Sequence, residues 1–270
     1  MADHIRILQI GCGNMGGALL NAWLQAGLLD QSYIVDPKAV LADAPDNVRV
    51  VLDISAVPDD FAPDLMILAI KPQMVASVVP GLVGYRRGGT LVSIMAGTSI
   101  ATLGNYFGTD APIIRTMPNT PAAVLRGVTA ALATANVTAE QKQAVSALFE
   151  AAGALVWLDR EDDFDAVTGL AGSGPAYVFH LVEALAAAGE AEGLAPDLAM
   201  TLARKTVEGA GALLFDSDKS AATLRENVTS PKGTTEAGLR VLMDAEGGLP
   251  SLVIRTVRAA AARSRALKVE

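Results

Sequence analysis

The segment Gly11-Cys12-Gly13-Asn14-Met15-Gly16 constrains this chain more than any other: a GxGxxG run directly after the apolar stretch Arg6–Ile10 and directly before the helical run Ala18–Leu28. Between a strand and a helix, Gly11 permits a tight turn. Gly13 lets a diphosphate approach the backbone, and Gly16 lets the helix pack close to the strand. The helix start then presents unpaired N–H groups and a partial positive charge. Asp36 ends the apolar segment Tyr33–Val35, 23 residues after Gly13, where an acid accepts hydrogen bonds from ribose hydroxyls. A carboxylate there repels a 2′-phosphate and favours NADH, while Lys38 two residues later offsets that charge and admits NADPH. The alternative reading of Asp36-Pro37-Lys38 is a plain surface turn.

Around this loop, short apolar runs alternate with helical patterns. The strand candidates are Ile5–Ile10, Tyr33–Val35, Leu65–Ile70, Thr90–Ile94, Ile113–Arg115, Val128–Leu132 and Leu155–Leu158. Such runs predict a doubly wound parallel sheet with helices on both faces. The ligand crevice of such a sheet lies beyond the carboxyl ends of its strands. Three further loops fall there: Ala69-Ile70-Lys71-Pro72, Met95-Ala96-Gly97-Thr98, and Arg115 to Pro121 with Asn119 and Thr120 between two prolines.

Past Asp159–Asp165 the pattern turns wholly helical, which sets two domains at 1–160 and 161–270. Helices are predicted over Pro175–Gly193, with Ser173 as its cap and Pro175 in its first turn, from Pro196 to about Phe215, over Gly233–Asp244 and over Pro250–Lys268. Leu181–Ala188 and Ala210–Leu214 are apolar around most of the helix. A domain of roughly 100 residues buries such helices poorly by itself, so the implied partner is a second copy of the chain.

The composition narrows the function. With 21 basic and 29 acidic residues the net charge is −8, which opposes nucleic-acid binding. The single cysteine, Cys12, excludes an internal disulfide and multi-cysteine metal sites, and lacks a partner base for thiol catalysis. His4 and His180 form no zinc motif, so no metal is expected. His180, between Phe179 and Leu181, reads as a packed helical histidine rather than an acid. The uncharged stretch Gly88–Thr109 is broken by five glycines, and MADHIRILQIG has neither a basic leader nor a cleavage site. A soluble, cytoplasmic protein is the expectation.

Near the C-terminus, Asn227-Val228-Thr229-Ser230-Pro231-Lys232-Gly233-Thr234-Thr235-Glu236 is a polar, proline-set loop feeding a helix. Its N–H groups and hydroxyls suit a small carboxylate, and a cap by Thr234 or Thr235 suits it equally. Here a resemblance emerges. GCGNMGGAL, AIKPQ, RTMPNTPA, DAVTGLAGSGPAYVF and NVTSPKGTTEAGL occur in order from Ile7 to about Leu267 and resemble the pyrroline-5-carboxylate reductase family.

The resemblance implies an α/β Rossmann-type domain, a C-terminal all-helical dimerisation domain, and homodimers that sometimes assemble further. It implies reduction of 1-pyrroline-5-carboxylate to L-proline, the last step of proline biosynthesis, with NADPH or NADH. By motif, Gly11, Gly13, Asn14, Met15 and Gly16 would hold the pyrophosphate, with Asp36 at the ribose. Ala69, Lys71, Pro72 and Ala96 would lie along the cofactor, and Asn119 and Pro121 near the nicotinamide. Ser230, Gly233, Thr234 and Thr235 would cradle the substrate, with Thr235 donating to the ring nitrogen. Two positions depart from the family pattern: Lys232 replaces a frequent glycine, and Asp36 stands where NADPH-preferring members often carry a neutral residue.

A protonated imine accepts hydride readily, which agrees with motifs holding Ser, Thr and Asn but no His. Three rival readings stand beside this one. One is reduction of another cyclic imine, and another is a nucleotide sensor without turnover. The third is a hydroxyacid dehydrogenase, whose GxxGxGxxxK lysine is replaced here by Val178.

Overall fold

The structure, a computed structural model, describes residues 5–39 and 44–267; His4 and Lys268 lie outside them. The chain divides into two compact units, one of residues 1–172 with 260–270 and one of residues 173–259.

The first unit is built on an eight-stranded sheet. Its strands are β1 (Ile7–Ile10), β2 (Ser32–Val35), β3 (Val48–Val51), β4 (Leu65–Leu68), β5 (Thr90–Ser93), β6 (Ile113–Met117), β7 (Gly127–Ala133) and β8 (Gly153–Trp157). Helices α1 (Asn14–Gln25), α2 (Val75–Val78), α3 (Ile100–Phe107), α4 (Ala139–Ala151) and α5 (Phe164–Val167) connect or follow them. The strand order is β3-β2-β1-β4-β5-β6-β7-β8. Every residue of β1, β2, β4 and β5 is buried. Alternate residues serve two cores, one holding Ile7, Leu20, Trp23, Ile67 and Phe149, the other Leu8, Ile10, Met66, Leu91 and Leu103. Each large apolar side chain removed from water contributes about 1.5–3 kcal/mol, and two such faces hold the sheet between its helices.

All seven expected strands are present, and three features go beyond the expectation. Val48–Val51 forms an eighth strand beside β2, in register Val35 to Val51. β7 runs antiparallel to β6, pairing Met117 with Ala130, because the connection is too short for a crossover helix. β7 and β8 are parallel again, with α4 between them. Thr138 and Gln141 form a reciprocal cap on α4, and Trp23 Nε1 donates to Leu148 O at 2.8 Å, tying α1 to that helix.

The second unit is helical: α6 (Gly174–Ala191), α7 (Pro196–Asp216), α8 (Ala221–Asn227) and α9 (Thr234–Leu242), with α10 (Leu249–Ala266) running out of it. Pro175 lies in the first turn of α6 as expected, but Ser173 does not cap it. That residue has helical dihedrals, because a wide turn over Thr168–Gly172 already runs into the helix. The α8 segment, capped by Ser220 on Thr223 N, was not foreseen. Among α6 and α7 residues only Ala186, Ala199 and Ala203 are buried, whereas Phe179, Leu213 and Phe215 are 64%, 61% and 63% exposed. Among the described residues no helix is long and apolar enough to cross a membrane.

Candidate active site

Strand order reverses between β1 and β4, and in open α/β sheets ligands bind at that switch point, outside the carboxyl ends of the strands. β1 delivers Gly11 to this place and β4 delivers Ala69. The Gly11 N–H donates to Val35 O at 2.8 Å and the Ala69 N–H to Ile10 O at 2.8 Å, so the two loops are fixed to the sheet. Gly11 has φ +93°, and a Cβ there would lie 2.6 Å from the Ala69 carbonyl oxygen. Only glycine meets both conditions. At Gly16 a Cβ would press on Ala69 Cβ and Gly11 O at 3.0 Å each.

Gly13 is the opposite case. It is exposed, and a Cβ built on it meets nothing within 4 Å. This glycine is therefore not explained by packing within the chain. It leaves an open approach to the start of α1, where the Gly17 N–H is the first to bond back, to Gly13 O at 2.7 Å. The N–H groups of Asn14, Met15 and Gly16 are left for an external acceptor. No side chain caps this end and no acid lies in the first turn. An anionic diphosphate fits such a cradle.

Asp36 forms the turn of its alternative reading and is also tied to the glycine loop. Its Oδ1 accepts from the N–H groups of Lys38 (2.8 Å) and Ala39 (3.1 Å), which makes the turn. Its Oδ2 accepts from Cys12 N–H at 2.7 Å, which binds the end of β2 to the glycine loop. Cys12 is half-buried, and desolvation, followed by the nearby Asp36 charge, raises its thiol above the ordinary value. A thiol so placed stays protonated at neutral pH.

The remaining first-unit loops end on the same edge of the sheet. Lys71 precedes the turn Pro72–Met74 and is exposed, as is Ala96 beyond β5. Asn119 is buried and held: Nδ2 donates to Ala171 O at 3.0 Å, and Oδ1 accepts from Val128 N–H at 2.8 Å. Pro121 sits in the first turn of the short helix Thr120–Val124 that Asn119 precedes.

In the second unit, Ser230–Gly233 is a tight turn closed by Gly233 N–H on Ser230 O at 3.0 Å, with Lys232 at φ +61°. Gly233, not Thr234 or Thr235, takes the cap position of α9, without a side-chain bond. Glu236 replaces the expected threonine cap by accepting from Lys232 N–H. Among the described residues the hydroxyls of Thr234 and Thr235 have no hydrogen-bond partner. His180 departs from the packed histidine expected: its side chain is 81% exposed, with Nδ1 2.8 Å from Glu183 Oε2. It lies on an α6 face that its own unit leaves open, beside exposed Phe179 and Leu181.

Two features escaped sequence reading. Gln9, fully buried on β1, donates from Nε2 to Gly11 O at 2.8 Å and to Gly16 O at 3.3 Å, stapling both ends of the glycine loop. A polar residue inside the run Ile7–Ile10 was the available signal, since buried amides need partners. The second is Arg115, on β6, whose Nη1 lies 2.7 Å from Glu161 Oε1 and whose guanidinium stacks 4.2 Å over the Phe164 ring. The same Glu161 oxygen accepts from the first N–H of α3, at Ile100, 2.8 Å away.

Comparison with known proteins finds family matches in both halves of the chain. Residues 161–267 match the family described as pyrroline-5-carboxylate reductase dimerisation, and residues 6–97 match the NADP oxidoreductase coenzyme F420-dependent family. The pyrroline-5-carboxylate reductase of Pseudomonas aeruginosa is 37% identical, with 97% of this chain and 96% of that protein covered. Pyrroline-5-carboxylate reductase 2 of Bacillus subtilis is 34% identical over 96% of this chain and 94% of its own length. Among solved structures, the pyrroline-5-carboxylate reductase of Coxiella burnetii superposes with a TM-score of 0.88 at 29% identity, covering 99% of this chain and 100% of that one. The pyrroline carboxylate reductase of Plasmodium falciparum, solved with NADP bound, gives 0.80 at 27% identity with both chains fully covered. Kinship of this extent, at 34–37% identity over nearly the whole chain, makes the chain a member of the pyrroline-5-carboxylate reductase family.

Proposed function

We propose that this protein reduces 1-pyrroline-5-carboxylate to L-proline with a nicotinamide coenzyme, the last step of proline biosynthesis. The observation that carries the reading is end-to-end kinship with named reductases at 34–37% identity. A dihydronicotinamide coenzyme, when bound, would supply the hydride. Gly11, Gly13, Asn14, Met15 and Gly16 would hold its pyrophosphate, and Asp36 its ribose. Ala69, Lys71, Pro72 and Ala96 flank the cofactor, while Asn119 and Pro121 set the loop nearest the nicotinamide.

Substrate binding falls to Ser230, Gly233, Thr234 and Thr235. The unpartnered hydroxyls of Thr234 and Thr235, at the N-terminal end of α9, support a role in meeting an anionic ring. The imine takes its proton from solvent before hydride arrives, so no strong protein acid is needed. The Thr235 hydroxyl orients the ring nitrogen by accepting from its N–H. Once hydride reaches the C=N carbon, the nitrogen keeps that proton as the ring amine, to which Thr235 can donate. Holding the two reacting carbons in contact contributes several kcal/mol. The open α6 and α7 faces and the matched dimerisation region support a homodimer, with larger assemblies built from it. The enzyme works in the cytoplasm on a small molecule, without membrane or nucleic acid, and the net charge of −8 supports the last of these.

The test is loss of reduced-nicotinamide absorbance on mixing protein, coenzyme and pyrroline-5-carboxylate, with proline identified as product. Thr235→Ala is expected to lower kcat by roughly 100-fold and leave coenzyme Kd unchanged. No oxidation by a preparation that binds coenzyme would refute the assignment, and undiminished kcat in the variant would remove Thr235 from the mechanism.

A further inference from the structure

We propose that Asp36 excludes the 2′-phosphate of NADPH, so that NADH is the working coenzyme of this chain; the inference rests on the dinucleotide reading of the glycine loop. The carboxylate is not free to swing aside. Three backbone N–H groups, from Cys12, Lys38 and Ala39, hold it at 2.7, 2.8 and 3.1 Å. Hydrogen bonds to an ionised group are about twice as strong as neutral ones, and turning the side chain away would break them together. One of them belongs to the glycine loop, so the same movement would loosen the diphosphate cradle. Two carboxylate oxygens offer about four acceptor directions, which leaves capacity for a ribose hydroxyl after three are used. A 2′-phosphate in the place of that hydroxyl brings like charge against a fixed anion.

The neighbouring strand supplies no remedy. In register with β2, the residue that follows Val51 beside Asp36 is Leu52, 69% exposed, and the next is Asp53. Ser55 donates both its N–H (2.9 Å) and its hydroxyl (2.7 Å) to Asp53 Oδ1. These bonds hold that carboxyl below its usual range, so it is ionised at neutral pH. The edge thus reads acid, apolar, acid. Arg49 pairs with Tyr33, three residues before Leu52 and about 10 Å back along the strand. Lys38 has its N–H engaged by Asp36, and its single ammonium lacks the planar fork that grips a phosphate. From Asp36 to Asp53 the sequence sets Lys38 and Arg49 against Asp36, Asp43, Asp46 and Asp53.

The experiment uses the full chain without substrate, following coenzyme fluorescence. NADH is expected to bind roughly ten- to a hundredfold more tightly than NADPH, the cost of a like-charge contact. Competition by 5′-ADP and 2′,5′-ADP should show the same order, which isolates the 2′-phosphate from the nicotinamide. Asp36→Asn and Asp36→Ser, each read as the ratio of its own two coenzyme affinities so that a general loosening of the loop cancels, should bring the two coenzymes to within about threefold of each other. Equal affinities in the parent protein, or a preference for NADPH, would overturn the inference and leave the dinucleotide site standing. A preference for NADH that survives both variants would take it away from Asp36. Failure of every nucleotide to bind would bring down the site and the inference together.

Discussion

At the scale of single residues, the glycine loop separates what the fold needs from what the ligand needs. Gly11 is demanded by the chain itself, through φ +93° and the Ala69 carbonyl 2.6 Å from its would-be Cβ. Gly13 is demanded by nothing in the chain. Gly11→Ala should therefore cost about 1–3 kcal/mol in stability and also abolish coenzyme binding. Gly13→Ala should leave the melting temperature within a degree or so of the parent and still weaken coenzyme binding at least tenfold. Thermal melts beside coenzyme titrations check the pair. A destabilised Gly13→Ala would contradict the open space seen above it. Gln9 belongs to the first kind, and Gln9→Leu, which frees two carbonyls of the loop, should cost about 1–3 kcal/mol.

Cys12 offers a pH test at the same scale. Burial, then Asp36, raises its thiol, so the folded state holds the proton more tightly than the unfolded chain. The stability linked to this proton is complete below the unfolded value and is lost as pH rises through the folded one, on the alkaline side of the ordinary 9.0. Disulfide-reagent labelling of the native protein should accordingly be slower than that of the denatured chain at pH 8, with its half-maximal rate displaced to higher pH. Labelling as fast as in the denatured chain would mean an exposed, unperturbed thiol.

At the scale of elements, the legibility of this sequence depended on how each element is stabilised. β1, β2, β4 and β5 were plain because both faces are buried, which makes them continuous apolar runs. β3 escaped because Arg49 interrupts a four-residue strand that is only partly buried. The reversed direction of β7 leaves no trace in periodicity, yet the nine residues between Met117 and Gly127 are fewer than a parallel crossover requires. Loop motifs were readable as motifs, while the bonds that fix them, such as Asp36 to Cys12 N–H, join residues far apart in sequence. The same holds for Arg115 and Glu161, which join β6, the start of α3 and the turn before α5. Arg115→Met leaves Glu161 without its cation and should cost about 3 kcal/mol, whereas adding Glu161→Gln should recover part of that loss. Additive losses in a denaturation cycle would show that the two side chains act separately.

At the scale of the whole molecule, the helical unit carries the argument. A helix that buries only alanines while leaving Phe179, Leu213 and Phe215 more than half exposed has no core of its own to account for its stability. Burying one phenylalanine contributes about 1.5–3 kcal/mol, so several such side chains on α6 and α7 hold enough free energy to make folding and association one process. His180, 81% exposed and 2.8 Å from Glu183 Oε2, lies on the same open face. If the homodimer is what covers these faces, apparent stability must depend on protein concentration by mass action. The melting temperature should rise by several degrees between about 1 and 100 µM protein, since tenfold in an equilibrium constant is ~1.4 kcal/mol. Phe215→Glu should shift the protein to monomer in sedimentation equilibrium and lower its melting temperature. A concentration-independent melt from a particle of single-chain mass would require the helical unit to be stable with its apolar faces in water, and the dimer would have to be abandoned.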